Sequence, residues 1–172
     1  MVFIITLGIY YYYSSNTPHT DDSSLGSILM DAQVVSSYLA GPGYPLNWTT
    51  SNVVILGLTD GNGRIATSKL ASLQDIQYST ARSLLNTKYD FFIYFTDKTG
   101  CIVKIKSTGE NYGYGHPDAD LKDIGSSSSC ALAGAKNMSL NLSDISPKKL
   151  VKIERLVILN STASRLVLHE WQ

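Results

Sequence analysis

The sequence has little charge, and neither sign dominates. Only 16% of the 172 residues are charged, and 14 basic residues balance 14 acidic ones. Following a phosphate backbone requires clustered lysine and arginine, which are missing, so nucleic acid is not an expected partner. The chain is 44% hydrophobic and rich in serine and threonine, which predicts one core under a surface typical of secreted or cell-surface proteins.

The motifs that mark most enzyme and cofactor sites are also missing. The sequence contains no phosphate-binding glycine loop, no CxxC pair and no HExxH helix. His19, His116 and His169 are far apart, and none has a nucleophile motif around it. We therefore expect no enzymatic activity, no catalytic residue, no cofactor and no metal.

One acidic segment allows two interpretations. Residues 116–123 contain one imidazole and three carboxylates, and hard cations such as calcium prefer clustered oxygen ligands. Their spacing matches no EF-hand loop, which favours a solvated turn over a cation site.

Cysteine is scarce, with Cys101 and Cys130 standing 29 positions apart and lacking metal-ligand spacing. An even number of cysteines in an extracytoplasmic chain favours a disulfide, which would contribute roughly 3 to 4 kcal/mol by closing a loop of this length. Two free thiols in a reducing compartment are the alternative. We predict the Cys101–Cys130 disulfide.

The first 20 residues are uncharged except for what His19 can carry, and they begin with an apolar run over residues 2–9. Four consecutive tyrosines follow, and tyrosine prefers the headgroup level of a bilayer. A spanning helix needs about 20 apolar residues and this segment supplies about 12, so it is typical of the outer half of a membrane helix. A buried β-strand is the alternative. The tyrosines predicted to lie at the membrane interface are Tyr10, Tyr11, Tyr12 and Tyr13.

The membrane interpretation divides the chain into two parts. Residues 1–20 are expected to be a partial membrane anchor and linker, with the rest of the span preceding Met1. Residues 21–172 are expected to form an extracytoplasmic α+β domain, anchored at the cell surface by its N-terminus.

A helix is predicted near residues 24–40, because apolar residues recur there at helical spacing and Gly41-Pro42-Gly43 ends the pattern. We expect this helix to pack across an antiparallel sheet, so that changing Leu29 to Asp would unfold the domain. The stripe expected to be buried consists of Ile28, Leu29, Ala32, Val35 and Leu39.

Two hairpins are expected to supply most of that sheet. They are residues 89–95 with 101–106, and 150–159 with 164–171. A short strand over 53–58 and helices over 67–73 and from residue 79 are also predicted, whereas residues 107–147 read as a long surface excursion. In the closing hairpin, Trp171 is expected to face the helix. The side chains expected on the solvated face are Lys152, Glu154, Arg165 and Glu170.

Four Asn-x-Ser/Thr sequons fall in segments predicted to be loops or turns, as glycan acceptors require. Coincidence in polar loops is the alternative. The possible N-glycosylation sites are Asn47, Asn137, Asn141 and Asn160.

Three consecutive segments follow the predicted helix: Gly43-Tyr44-Pro45-Leu46-Asn47-Trp48, the Val-rich residues 52–58 that end in Gly-Leu, and the Lys-containing residues 65–73. In this order they resemble archaeal type IV pilin-like surface proteins of the class III signal-peptide group. In that group a helix leaving the membrane is followed by a Gly-Tyr-Pro-x-x-Trp turn, a Val-rich strand ending in Gly-Leu and a short Lys-containing helix. The similarity covers about residues 28–172, whereas the processing motif and the full hydrophobic helix of the group do not occur in this chain.

This resemblance implies a non-enzymatic, membrane-anchored surface subunit or accessory protein that contacts other pilin-like subunits or surface proteins. It assigns no catalytic residue. The competing hypothesis is a membrane-tethered sensor or ligand-binding ectodomain, in which residues 107–123 and their tyrosines hold a small ligand.

Overall fold

The computed structural model describes residues 22–105, 111–125, 130–132 and 134–172. Three helices lie in these ranges: α1 (Asp22–Leu39), α2 (Thr67–Gln74) and α3 (Tyr78–Leu84). The strands are β1 (Asp90–Thr96), β2 (Ile102–Val103), β3 (Gly113–Gly115), β4 (Asp120–Asp123), β5 (Met138–Asn141), β6 (Leu150–Leu159) and β7 (Thr162–Trp171). The predicted α+β class and the three predicted helices are confirmed.

The main sheet is antiparallel and has the order β2-β1-β7-β6, with β3 also paired to β1 beside β2. Both predicted hairpins are confirmed. In the closing hairpin the ten residues of β6 pair with the ten of β7 around a turn made by Asn160 and Ser161. Both turn residues have positive φ, 50° and 63°, as the tight turns favoured by twisted hairpins require.

Helix α1 packs one face on β6 and β7. The residues buried on that face are Ile28, Ala32, Val35 and Leu39. The predicted burial of Leu29 is wrong, because its side chain is 43% exposed. At 3.6 residues per turn, Leu29 lies about 100° around the helix from Ile28 and therefore projects from the flank of the contact.

The predicted strand over residues 53–58 is also wrong. Ile55 is exposed and makes only an isolated bridge to Tyr44. The backbone N–H of Leu58 instead donates to the carbonyl of Leu39 at 2.9 Å. This segment therefore closes the C-terminal end of α1, where helix carbonyls lack partners within the helix.

Residues 107–147 are more structured than the predicted surface excursion, since they contain β3, β4 and β5. The β4–β5 pair covers the face of the main sheet opposite the helices and encloses a second apolar cluster. Trp171 lies in this cluster, so the prediction that it faces the helix is wrong. The buried members of the cluster are Phe92, Tyr94, Ile102, Tyr112, Ala119, Leu121, Val167 and Trp171.

The first prediction compares Val35→Asp with Leu29→Asp. Val35 is 1% exposed, so an aspartate there would bury an unpaired charge and is expected to unfold the domain. Leu29→Asp should keep the thermal midpoint of the parent within a few degrees, because position 29 lets the carboxylate reach water. Thermal unfolding followed by circular dichroism tests this. Equal loss of stability in both variants would contradict the placement of α1.

Candidate interaction surface

Helix α1 carries a second apolar face that points into solvent. Met30, Val34 and Tyr38 follow one another at four-residue spacing and are 72%, 50% and 45% exposed. We call these three residues the outer stripe. Shallow grooves of about 480 and 330 Å³ run along its two sides, the first bounded by Arg155 and the second by Leu85. Contiguous exposed apolar side chains of this kind are typical of protein contact sites.

Polar contacts on both flanks of α1 hold the outer stripe in place. On the β6 side, the Arg155 guanidinium donates to Ser36 Oγ at 3.1 Å and to Ser37 Oγ at 3.0 Å. On the opposite side, the hydroxyls of Ser27 and Tyr89 are 2.7 Å apart. Because one flank of α1 is hydrogen-bonded to β6 and the other to the residue that precedes β1, α1 cannot rotate to bury the outer stripe.

A partly buried carboxyl cluster joins α1 to the sheet on the side of Ser27. Thr87 Oγ1 lies 2.5 Å from Asp31 Oδ2 and 2.7 Å from Glu170 Oε1, and it also accepts the Tyr89 N–H. One hydroxyl proton can serve only one carboxylate, so the second contact requires a proton on a carboxyl group. Burial and the adjacent Asp31 raise the pKa of Glu170 to about 8, and Glu170 therefore carries that proton.

The prediction that Glu170 lies on the solvated face is wrong, because the side chain is fully buried on the helix side of the sheet. Alternation along β7 places residues 168 and 170 on the same face, and Leu168 packs in the helix-side core. Lys152, Glu154 and Arg165 are exposed, as predicted. Arg165 Nε lies 3.7 Å from the Glu154 carboxylate across the two strands, and Lys152 Nζ lies 2.7 Å from that carboxylate along the same strand.

Lys69 of α2 is a buried cation that fastens the turn after α1. Its Nζ donates to the carbonyls of Pro42 at 2.5 Å and Thr59 at 2.7 Å. Burial lowers the pKa of Lys69, and the nearby Asp60 partly opposes that shift. Sequence reasoning identified only a lysine-containing helix, since nothing in the pattern shows which carbonyls the lysine reaches.

The predicted disulfide between Cys101 and Cys130 is confirmed, with the two Cα atoms 5.6 Å apart. Beside it, Asp97 accepts the N–H groups of Cys101 at 3.0 Å and Ala131 at 2.9 Å. Burial opposes ionisation of Asp97, but its hydrogen bonds, led by that from the Thr99 hydroxyl, lower the pKa overall. The disulfide and Asp97 together tie the hairpin turn to the chain around residue 130.

The four sequons differ in exposure and in local structure. Asn47 and Asn160 are exposed in loops, and Asn137 precedes β5 and is half-buried. Asn141 is the last residue of β5, so its predicted loop position is wrong. Short strands such as β5 carry too little periodicity to be recognised in a segment rich in polar residues.

The remaining predicted sites lie partly outside the described residues. The interface tyrosines, Tyr10 to Tyr13, and His19 fall outside them. Within the described ranges, no helix has the length and apolar character needed to cross a membrane.

The two described histidines have different surroundings. His116 Nδ1 lies 3.9 Å from the exposed Asp118 carboxylate. His169 Nε2 contacts the Tyr94 hydroxyl at 3.1 Å, and burial, with Lys152 nearby, lowers the pKa of His169 to about 4. No group of three potential metal ligands forms among the residues that the structure describes.

A small concavity lies between the main sheet and the β4–β5 pair. It has a volume of about 220 Å³, and Phe92, Tyr112 and Asp120 are among its lining residues. Drug-sized ligands usually occupy pockets of about 300 to 1,000 Å³. Tyr112 is the one tyrosine among its lining residues, and its volume lies below that range.

Comparison of the chain with known protein families, with curated proteins and with solved structures finds no match.

The second prediction concerns Lys69→Met. This change removes the donor to the Pro42 and Thr59 carbonyls, and leaving buried acceptors unpaired costs about 1 to 3 kcal/mol. Lys98→Met is the matched control, because Lys98 is exposed in a turn. Chemical denaturation should show a loss of this size for Lys69→Met alone; equal midpoints for the two variants would contradict the assigned role.

The third prediction concerns pH. Because the folded-state pKa of Glu170 is raised, its contribution to stability is complete below the unfolded value and is lost as pH rises through about 8. The slope can reach about 1.4 kcal/mol per pH unit. Glu170→Gln keeps the shape and removes the titration, so its stability should depend less on pH.

Stability should be compared between pH 6.5 and 8 by urea denaturation. Below that window, the lowered pKa of His169 acts in the opposite direction, since stability falls as His169 becomes protonated. Parallel pH profiles for the parent and Glu170→Gln would contradict the protonated state of Glu170.

Proposed function

We propose that the chain is a non-enzymatic, membrane-anchored cell-surface protein of the pilin-like kind, a subunit or an accessory protein that associates through α1. The observation that carries this proposal is the outer stripe. Helix α1 uses one apolar face to hold the sheet and presents Met30, Val34 and Tyr38 on another. A helix with two apolar faces suits a position between its own sheet and a neighbouring helix.

The position of α1 in the chain supports the same proposal. The apolar N-terminal run and Tyr10 to Tyr13 precede α1, so a membrane anchor would lie at its N-terminal end. Helices of neighbouring copies anchored in this way would run side by side in the same direction, and the outer stripe would face them along the α1 helix.

The covalent chemistry is compatible with an extracytoplasmic location. The Cys101–Cys130 disulfide is of the kind that persists in oxidising compartments. The exposed Asn47 and Asn160 sequons lie where a glycan could extend into solvent without displacing the core.

A ligand-binding ectodomain is the second candidate, and the concavity beside Tyr112 is the observation in its favour. Its volume of about 220 Å³ is below the usual range for ligand pockets. The outer stripe, by contrast, offers three large side chains at regular spacing. Association through α1 therefore has the stronger physical support.

The fourth prediction uses Val34→Asp, which places a charge in the outer stripe. Desolvating that charge in a helix contact should reduce association at least tenfold. Folding should persist because Val34 is half exposed, unlike its neighbour Val35. Chemical cross-linking of the full-length chain in membranes measures the association, with Lys98→Asp as an exposed control outside α1. Unchanged cross-linking of Val34→Asp would contradict the proposal.

A further inference from the structure

Over residues 150–156, the outer edge of β6 pairs with no strand among the described residues. β6 pairs with β7 on one side only. Ile158 shows where its outward groups point, because its N–H donates to Gly63 at 3.0 Å and its carbonyl accepts from Ile65 at 2.8 Å. By alternation, residues 150, 152, 154 and 156 also direct their N–H and C=O groups outward. No described residue forms backbone bonds with those four positions.

We propose that this edge pairs antiparallel with β6 of a second copy, in the register that sets Lys152 opposite Glu154 of the other copy. Residues 63–65 already occupy the edge at Ile158, so the usable edge ends at Leu156. A copy can use all four outward positions on both strands only if residue 150 faces 156 and residue 152 faces 154. The two-fold axis then passes through Ile153.

The side chains in this register complement one another. Lys152 and Glu154 already attract each other within one chain at 2.7 Å, and the two-fold axis places each beside its opposite charge. Leu150 and Leu156, both exposed, also face one another. Opposite-charge and apolar cross-strand pairs each favour pairing, whereas like charges oppose it. Edge lysines usually discourage association, but here Glu154 supplies the matching charge.

The helix layer also accommodates a second copy. Lys149 contacts Ser24 and Arg155 contacts Ser36, so α1 runs along β6 in the same direction. Because α1 contacts both β6 and β7, the two α1 axes would lie roughly 10 Å apart, about two strand spacings and within reach of helix packing. The exposed Leu29 lies on the flank facing the axis, since it precedes Ser36 by two helical turns.

The β6 pairing does not depend on the proposed function. What the antiparallel direction implies for the arrangement of anchored copies does rest on the proposed function. Antiparallel β6 strands place the two α1 helices in opposite directions. Copies anchored by their N-termini in one surface would have parallel helices, so this contact would join copies on two facing surfaces or filaments. The outer stripe, on the opposite side of α1 from Leu29, remains open for neighbours on the same surface.

The fifth prediction uses charge reversal in the full-length chain, with mass measured by sedimentation in detergent. The parent should dimerise at about 100 μM. Lys152→Glu and Glu154→Lys should each weaken the homodimer about tenfold or more, because each sets like charges opposite one another twice. An equimolar mixture of the two variants should recover dimers, and so should the double variant that exchanges both charges.

These combinations separate pairing from misfolding and from association through the N-terminal segment. A parent that is monomeric at about 0.5 mM would overturn the proposal. So would single variants that remain dimeric, or a mixture of correctly folded variants that fails to recover dimers. Circular dichroism confirms folding in each case.

Register and direction have their own readouts. Ile153→Cys should give a disulfide-linked dimer under mild oxidation, because cysteines facing one another on the two-fold axis lie about 4.5 Å apart at Cα; Ser161→Cys, in the turn, should not. Equal cross-linking of both would overturn the register.

Vesicles carrying the parent should cluster and those carrying Lys152→Glu should not. Dimers in detergent without clustering would count against the proposed N-terminal anchoring and leave the pairing intact.

Discussion

The burial of one α1 face against β6 and β7 determines which surfaces the rest of the molecule can present. Ile28, Val35 and Leu39 are almost completely removed from water, and each such side chain contributes roughly 1.5 to 3 kcal/mol when buried. Arg155 on one flank and the Asp31–Thr87–Glu170 cluster on the other fix the rotation of the helix. Once that rotation is fixed, the outer stripe cannot turn inward.

The turn after α1 depends on close backbone approach. A Cβ added at Gly57 would lie 2.2 Å from the Gly43 nitrogen, and Gly43 has a φ of 69°. Trp48 Nε1 donates to the Gly57 carbonyl at 2.7 Å, and Lys69 closes the other side. The Gly-Tyr-Pro-x-x-Trp segment and the Gly-Leu pair therefore form a tightly packed turn at the end of α1. Their backbone groups are used within this turn and do not extend a sheet.

Sequence patterns predict the elements that are long enough to show a regular repeat of apolar residues. The ten-residue strands β6 and β7, the helix α1 and the disulfide could be predicted from such patterns, whereas β3, β4 and β5 are too short to show alternation. The predicted faces of Glu170 and Trp171 are both wrong, and the two errors go together because adjacent residues of a strand point to opposite faces of the sheet. A charged side chain favours the solvated face, but Glu170 can be buried because its carboxyl group is protonated. Whether Leu29 lies on the flank of the helix contact depends on how α1 is rotated about its own axis. A stripe of five apolar residues does not specify that rotation.

The two proposed contact surfaces, the outer stripe and the β6 edge, differ in what they would require of a partner. The outer stripe is apolar and offers no hydrogen bonds that would fix the position of a neighbouring helix. It would therefore tolerate parallel neighbours that slide or tilt. The proposed β6 pairing is different, because backbone hydrogen bonds and the pairing of Lys152 with Glu154 would favour one antiparallel register. Low overall charge sharpens this selectivity, since few other charged groups compete for those two side chains. A molecule with both surfaces can combine adaptable contacts between neighbours with a strictly oriented contact between opposed copies.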